Sequence, residues 1–221
     1  YVAVAENTTA RKKSKTTVKT IVAALSVSAV MMGVSGEAQA SFVTDDAVNP
    51  GNNATNYVII GPGASIKPSA ANGNIKPNQS IAIGAEALVT GYQSTALGNN
   101  VIASGHSSVA IGGDDVNAVI DAAGAEYTAL TGVTLVKSQW QSTQSAGHGS
   151  IAIGVQSLAE GNFSTALGLT AKTQGTGSVA FGANARGLAK GATSIGTAST
   201  ASGQQATAIG MNSTATAKNS T

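Results

Sequence analysis

Few side chains in this sequence could take part in acid–base, nucleophilic or metal chemistry. The chain has no cysteine and two histidines, His106 and His148, and a pair of carboxylates, Asp114 and Asp115, follows the first of them. Two adjacent carboxylates make a poor cation site, because Ca²⁺ takes roughly six to eight oxygen ligands, and the pair is better interpreted as a turn or a helix start. The sequence therefore predicts no catalytic residue, no metal site and no cofactor.

Residues that could contact a binding partner are easier to propose than catalytic ones. The single tryptophan, Trp140, belongs to a segment that interrupts a repeat, and an exposed aromatic side chain on a projecting loop is a typical contact residue. The alternative is that Trp140 packs back onto the fold. A second candidate surface is formed by outward-facing positions of the repeat, three apolar and two basic: Leu88, Ile102, Leu158, Lys172 and Arg186. The apolar three could bind a partner or be covered by the inserted segment.

These residues must be positioned by a repeat that fills most of the chain. Short motifs such as Ser80-Ile81-Ala82-Ile83-Gly84 recur fourteen residues apart, with one interval three times as long. Each motif closes on a glycine that predicts a turn. These repeat glycines are Gly84, Gly98, Gly112, Gly154, Gly168, Gly182, Gly196 and Gly210.

The placement of charge predicts the faces of the strands. With the serine of each motif as position 1, no residue at positions 1 to 5 is charged in any copy, whereas charges in the second half fall only at odd positions. The first strand is therefore expected to be buried on both faces and the second on one. We expect the large apolar residues of position 4 to lie in the core of the roll or of a trimer: Ile83, Leu97, Ile111, Ile153, Leu167, Phe181, Ile195 and Ile209.

The long interval contains a 28-residue insertion, Asp114 to Gln141, at one corner of the repeat. Its first ten residues predict one or two helical turns, ended by Gly124. Glu126–Leu130 and Val133–Trp140 predict a hairpin around Thr131-Gly132.

The first 40 residues have a different character. Basic residues from Arg11 to Lys19 precede the apolar stretch Ile21–Val34, and Ala38-Gln39-Ala40 follows. This order predicts a signal peptide cleaved between Ala40 and Ser41, with a short buried helix as the alternative. Residues 41–55 would lead into a roll of residues 56–221. Without the leader, 7 basic and 8 acidic residues remain, which leaves no basic patch for nucleic acid.

The repeated motifs, Ser108–Gly113 with the insertion behind it, and the segment Tyr1–Lys15 together resemble the YadA-type trimeric autotransporter adhesins. The resemblance implies an all-β, left-handed parallel β-roll solenoid of fourteen-residue coils with three chains around one axis. It also implies a bacterial outer-membrane protein that binds extracellular matrix or host-cell surfaces. Such proteins are anchored by a C-terminal barrel, and no stalk or membrane strand follows Asn219, which indicates an N-terminal fragment.

Two other functions remain as alternatives. A structural spacer or autoaggregation module would need no ligand of its own. A left-handed β-helix acyltransferase would also be trimeric, but those enzymes resemble six-residue repeats with a histidine between subunits, whereas the histidines here occupy a variable position of a fourteen-residue repeat.

Overall fold

A computed structural model describes residues 42–44 and 57–221 of the chain. The predicted signal peptide, its cleavage site at Ala40 and Ser41, and most of the lead-in lie outside the described residues. Within the described part, short strands predominate and one α-helix interrupts them.

The strands and the helix follow one another in a regular order. The strands are β1 (Phe42–Thr44), β2 (Val58–Ile60), β3 (Ser65–Ile66), β4 (Ile81–Ile83), β5 (Leu88–Val89), β6 (Thr95–Gly98), β7 (Ile102–Ala103), β8 (Val109–Gly112), β9 (Gln144–Ser145), β10 (Ile151–Ile153), β11 (Leu158–Ala159), β12 (Thr165–Leu167), β13 (Lys172–Thr173), β14 (Val179–Phe181), β15 (Arg186–Gly187), β16 (Thr193–Ile195), β17 (Thr200–Ala201), β18 (Thr207–Ile209) and β19 (Thr214–Ala215). Helix α1 (Asn117–Thr131) lies between β8 and β9, and a 3₁₀ turn (Ala70–Asn72) lies between β3 and β4.

The strands from β2 onward alternate between two parallel sheets. The first sheet runs from β2 through the even-numbered strands to β18, with β1 antiparallel at its edge, and the second contains the odd-numbered strands from β3 to β19. In the first sheet Ile81 pairs with Thr95, and Thr95 pairs with Val109. Each strand is thus stacked on the equivalent strand of the next repeat, and the fold is an all-β repetitive roll.

The interior of the roll is filled by small side chains. In the first sheet, alanines at position 3 such as Ala82 and Ala152 are fully buried. Residues at positions 8 and 10 of the second sheet, such as Val101 and Ala159, face them and are also fully buried. The positions of the second strand predicted to face inward therefore line the core. The core is thin because most of its apolar side chains are alanine.

The large side chains of position 4 point the other way. Adjacent residues of a strand face opposite sides of a sheet, so the side chains next to the buried alanines lie on the outer face of the first sheet. Leu97 is 40% exposed and Phe181 is 51% exposed in the single chain. Their predicted burial therefore cannot come from the interior of one roll, and burial between chains stays a prediction.

The corners of the roll use two kinds of residue. The repeat glycines follow the first-sheet strands, and Gly154, for example, has φ of 122° and no room for a side chain, since a Cβ would lie 2.5 Å from the carbonyl oxygen of Gly168. The left-handed residues of these corners are mostly not glycine: Glu86 and Gln93 have φ of 55° and 53°. Several equivalent residues are asparagine, which tolerates this conformation better than most.

The insertion folds differently from the sequence-based prediction. Helix α1 continues through Gly124 and ends at Gly132, whose φ is 70° and whose N–H donates to the carbonyl oxygen of Thr128. Thr131-Gly132 is therefore a helix C-terminus and not the turn of a hairpin, so the predicted hairpin is wrong. The stacking of the roll continues across the insertion, because Ile102 pairs with Gln144 and Val109 with Ile151.

Candidate functional site

The insertion is attached to the corners of the repeats that follow it. Gln156, only 9% exposed, donates from Nε2 to the carbonyl oxygens of Asp114 and Gln139, each at 2.8 Å. The hydroxyl oxygens of Tyr127, on α1, and Thr170, one repeat further, lie 2.6 Å apart in a hydrogen bond. Gln156 therefore holds the outgoing and the returning segment of the insertion together. No pattern in the sequence predicts this role for Gln156.

The start of the insertion is fixed by amide groups. Asn99 and Asn100 donate to the two carboxylate oxygens of Asp114 at 3.2 and 2.9 Å. Asp115 accepts the backbone N–H of Asn117 at 2.7 Å, which satisfies a donor in the first turn of α1. The predicted helix start at these acids is thus close to the observed one.

An open cleft lies where the two ends of the insertion meet the preceding corners. Its volume is about 530 Å³, and its lining residues are Glu86, Asn99, Asn100, Asp114, Asp115, Trp140 and Ser142. Trp140 is 59% exposed. The structure therefore leaves this side chain accessible and brings it together with the acid pair.

The cleft has an acidic lining. Three carboxylates line it and no lysine or arginine does. Across the described residues the ion pairs are Lys137 with Asp121 and Lys172 with Glu160, so neither pair involves a cleft carboxylate. A ligand of this cleft meets one large aromatic surface, amide and hydroxyl groups, and a negative potential.

The two histidines form a stacked pair at another corner. Their ring centroids are 4.8 Å apart and the rings are nearly parallel. Nδ1 of His106 accepts the backbone N–H of Tyr92, and Nδ1 of His148 accepts that of His106, each at 3.0 Å. Burial, and secondarily the charge of His148, lowers the pKa of His106. The two hydrogen bonds to backbone N–H groups show that the pair supports the corner. Among the described residues no three His, Cys, Asp or Glu side chains could hold a metal ion together.

Comparison with known families identifies the repeat. The family model of the YadA head domain repeat matches residues 78–100, 145–171, 164–185, 189–213 and 201–221. This part of the chain is a YadA-type head domain. The family is one of surface-exposed autotransporter adhesins, not of enzymes. No curated protein matches the chain.

The matches to the YadA-type head lie on both sides of the insertion and leave residues 101–144 uncovered. Helix α1, Trp140 and the acid pair belong to this uncovered stretch. No helix in the described part of the chain is both long and apolar enough to cross a membrane.

The second candidate surface lies on the outer face of the head's second sheet. Leu88 pairs with Ile102, but Gln144 separates Ile102 from Leu158, so the apolar row is interrupted. All three apolar side chains are half-buried.

The two basic residues continue the same face. Lys172 is followed by Arg186 in the register of the sheet. Nζ of Lys172 lies 3.1 Å from a carboxylate oxygen of Glu160. The structure does not place Lys172 or Arg186 in the lining of the Trp140 cleft.

Proposed function

We propose that this chain supplies the head, or passenger, domain of an exported bacterial surface adhesin. In this proposal three chains associate through the outer faces of their first sheets, and the trimer binds extracellular matrix or host-cell surface components. The observation that carries the proposal is the row of large apolar side chains on that face, exposed in the single chain at Leu97 and Phe181. An apolar face of this extent on a secreted protein indicates an interface.

The two outer faces of the roll differ in a way that supports this arrangement. The first sheet presents apolar side chains and threonines and no charge, whereas the second carries Lys172, Arg186 and Glu160. Water solvates the second face well, and the first is better covered by equivalent faces of other chains. The strand registers support the fourteen-residue coil, and the left-handed winding is proposed from the family.

The outer face of the second sheet forms a repetitive outer wall, and such a wall suits the binding of a fibrous or densely displayed ligand. Neighbouring strands of a sheet lie about 4.8 Å apart, so equivalent outward side chains recur at short, regular intervals along the roll. Many weak contacts, offered three times by a trimer, add up to a high avidity without a deep pocket.

A binding screen with the purified protein tests this proposal. We expect the trimer to bind immobilised matrix proteins or cultured host cells, and single substitutions such as Lys172→Ala or Arg186→Ala to weaken binding only slightly. A trimer that binds no matrix protein and no host cell contradicts the adhesive function and favours a spacer or autoaggregation module.

A further inference from the structure

We propose that the cleft beside Trp140 binds a neutral carbohydrate, with a pyranose ring stacked on the indole and its hydroxyl groups held by the polar lining. This inference rests on the proposed adhesive function, because it names a class of ligand for it: an uncharged glycan of the matrix or of a host-cell surface. The lining of the cleft contains none of the outward-facing residues of the second sheet named above.

Trp140 presents a large accessible aromatic surface. Its side chain is 59% exposed and lines a cleft in which every other residue is polar. Exposed indole surface contributes little to folding, because the hydrophobic gain comes from area removed from water. The C–H face of a sugar ring can cover such a surface while the rim of the sugar stays polar, which suits an aromatic side chain with one accessible face.

The segment that carries Trp140 is held in place by hydrogen bonds. The carbonyl oxygen of the preceding residue, Gln139, accepts a hydrogen bond from Gln156 at 2.8 Å. The N–H of Ser138 donates to Oδ1 of Asn117 at 2.9 Å. Because the backbone that leads into Trp140 is fixed before a ligand arrives, little backbone entropy is lost when a ligand binds.

Hydrogen-bond donors and acceptors are mixed around the indole. The amides of Asn99 and Asn100 and the hydroxyl of Ser142 can both donate and accept, whereas the carboxylates of Glu86 and Asp115 accept only. Sugar hydroxyl groups also donate and accept, so they can satisfy both kinds of group.

The charge of the cleft narrows the choice of ligand. Three carboxylates without a lining base repel sialylated and sulfated glycans. The lysine or arginine side chain of a ligand would complement the negative charge of the cleft, but it has no acceptor for the amide and hydroxyl donors of the lining. In addition, the buried carboxylate of Asp114 is already occupied by two amide groups. A neutral polyhydroxylated ligand therefore fits the lining better than a cation.

The single tryptophan of the chain makes the proposal directly testable, because intrinsic fluorescence reports on this cleft. The complete protein is titrated with lactose, N-acetyllactosamine, chitobiose, 3′-sialyllactose and N-acetylarginine amide. We expect a saturable change in emission with at least one of the three neutral sugars and none with the sialylated sugar or the arginine derivative. The absence of a saturable change with every neutral sugar, or a response to the arginine derivative instead, overturns the proposal.

Variants then locate the sugar, with saturation-transfer NMR as a readout that does not need the indole. Trp140→Ala is expected to weaken binding at least about tenfold, as for a central aromatic contact. Gln156→Ala should weaken sugar binding less, since Gln156 only positions the backbone next to Trp140. Phe163→Ala is the matched control: Phe163 is 70% exposed and does not line the cleft. Equal loss in the control and in Trp140→Ala contradicts the site.

Adhesion measured alongside separates this inference from the function on which it rests. Adhesion of the wild-type trimer without any sugar binding overturns the carbohydrate site and leaves the adhesive function standing. Saturable sugar binding abolished by Trp140→Ala, without adhesion to any surface, supports the site and contradicts the matrix-binding function.

Discussion

At the scale of single residues, the corners of the roll show how a chemically capable side chain can have a structural task. His106 and His148 each offer Nδ1 as an acceptor to a backbone N–H of the preceding repeat. In the following repeat Asn162 does the same with Oδ1, which accepts the N–H of His148 at 2.9 Å. The sequence placed both histidines at a variable corner, but their stacking depends on the distance between repeats and could not be predicted from residue types.

This arrangement predicts a pH dependence of stability. Burial lowers the pKa of His106 from its ordinary value of 6.5 in the folded protein. The unfolded chain therefore binds the proton more readily, and the stabilisation is complete above pH 6.5 and is lost as the pH falls through the lowered pKa. We expect the melting temperature to stay nearly level above about pH 7 and to fall as the pH is lowered below 6.5.

The variant for this test replaces both rings by the residue that the next repeat already uses. His106→Asn combined with His148→Asn should keep an acceptor at each corner and remove this part of the pH dependence, as measured by thermal melting across the same pH range. An unchanged pH profile in the double variant contradicts the assignment of the effect to this histidine pair.

At the scale of elements, the insertion shows which local signals were misinterpreted. The sequence predicts that a helix ends at Gly124, yet α1 passes through it, because a single glycine weakens a helix by only about 1 kcal/mol. The true end is marked by Gly132 in the left-handed conformation, and a threonine-glycine pair is compatible with either a hairpin turn or a helix C-terminus. In the helix Tyr127 contacts Thr170 of the roll, and sequence alone does not reveal this contact.

Deletion of Asp114–Gln141 should leave the roll intact. The deletion joins Gly113 to Ser142, and the pairing of β7 with β9 and of β8 with β10 already crosses this point. Ser142 would then occupy a corner position where a left-handed conformation is common, as the equivalent residues Glu86 and Asn100 do with φ of 55° and 52°. We expect circular dichroism to lose its helical contribution and the melting temperature to fall by roughly 5 °C at most.

The oligomeric state of the deletion variant is measured on the same sample. An intact trimer identifies the insertion as an addition to a self-sufficient roll. Dissociation into monomers contradicts this prediction and indicates that the insertion holds neighbouring chains together.

At the scale of the whole molecule, the sequence predicted the faces of the sheets better than the partners of those faces. The absence of charge at positions 1 to 5 indicated a strand without a solvated face, and the odd-position charges indicated a second strand with one. The structure places alanine inside and the large position-4 side chains outside. The alternation of residues along a strand distinguishes its two faces, but it does not show which face packs inside the roll and which is covered by another chain. The cleft was also missed, since it joins Glu86 to Trp140 across distant parts of the sequence.

The assembly itself gives the last prediction. Ile153 lies on the outer face of the first sheet, between Ile111 and Leu167 in register, and is half-buried in the single chain. If three such faces meet, Ile153→Lys buries an unpaired ammonium group in each chain at a cost of several kcal/mol. We expect the wild-type protein to be a trimer and this variant a monomer by light scattering.

The matched control is Gln144→Lys, which adds the same side chain to the outer face of the second sheet, where Gln144 is equally half-buried in the single chain. This control should remain trimeric, because the new lysine can stay in water. A trimeric Ile153→Lys variant, or a wild-type monomer, means that the apolar face of the first sheet has another purpose.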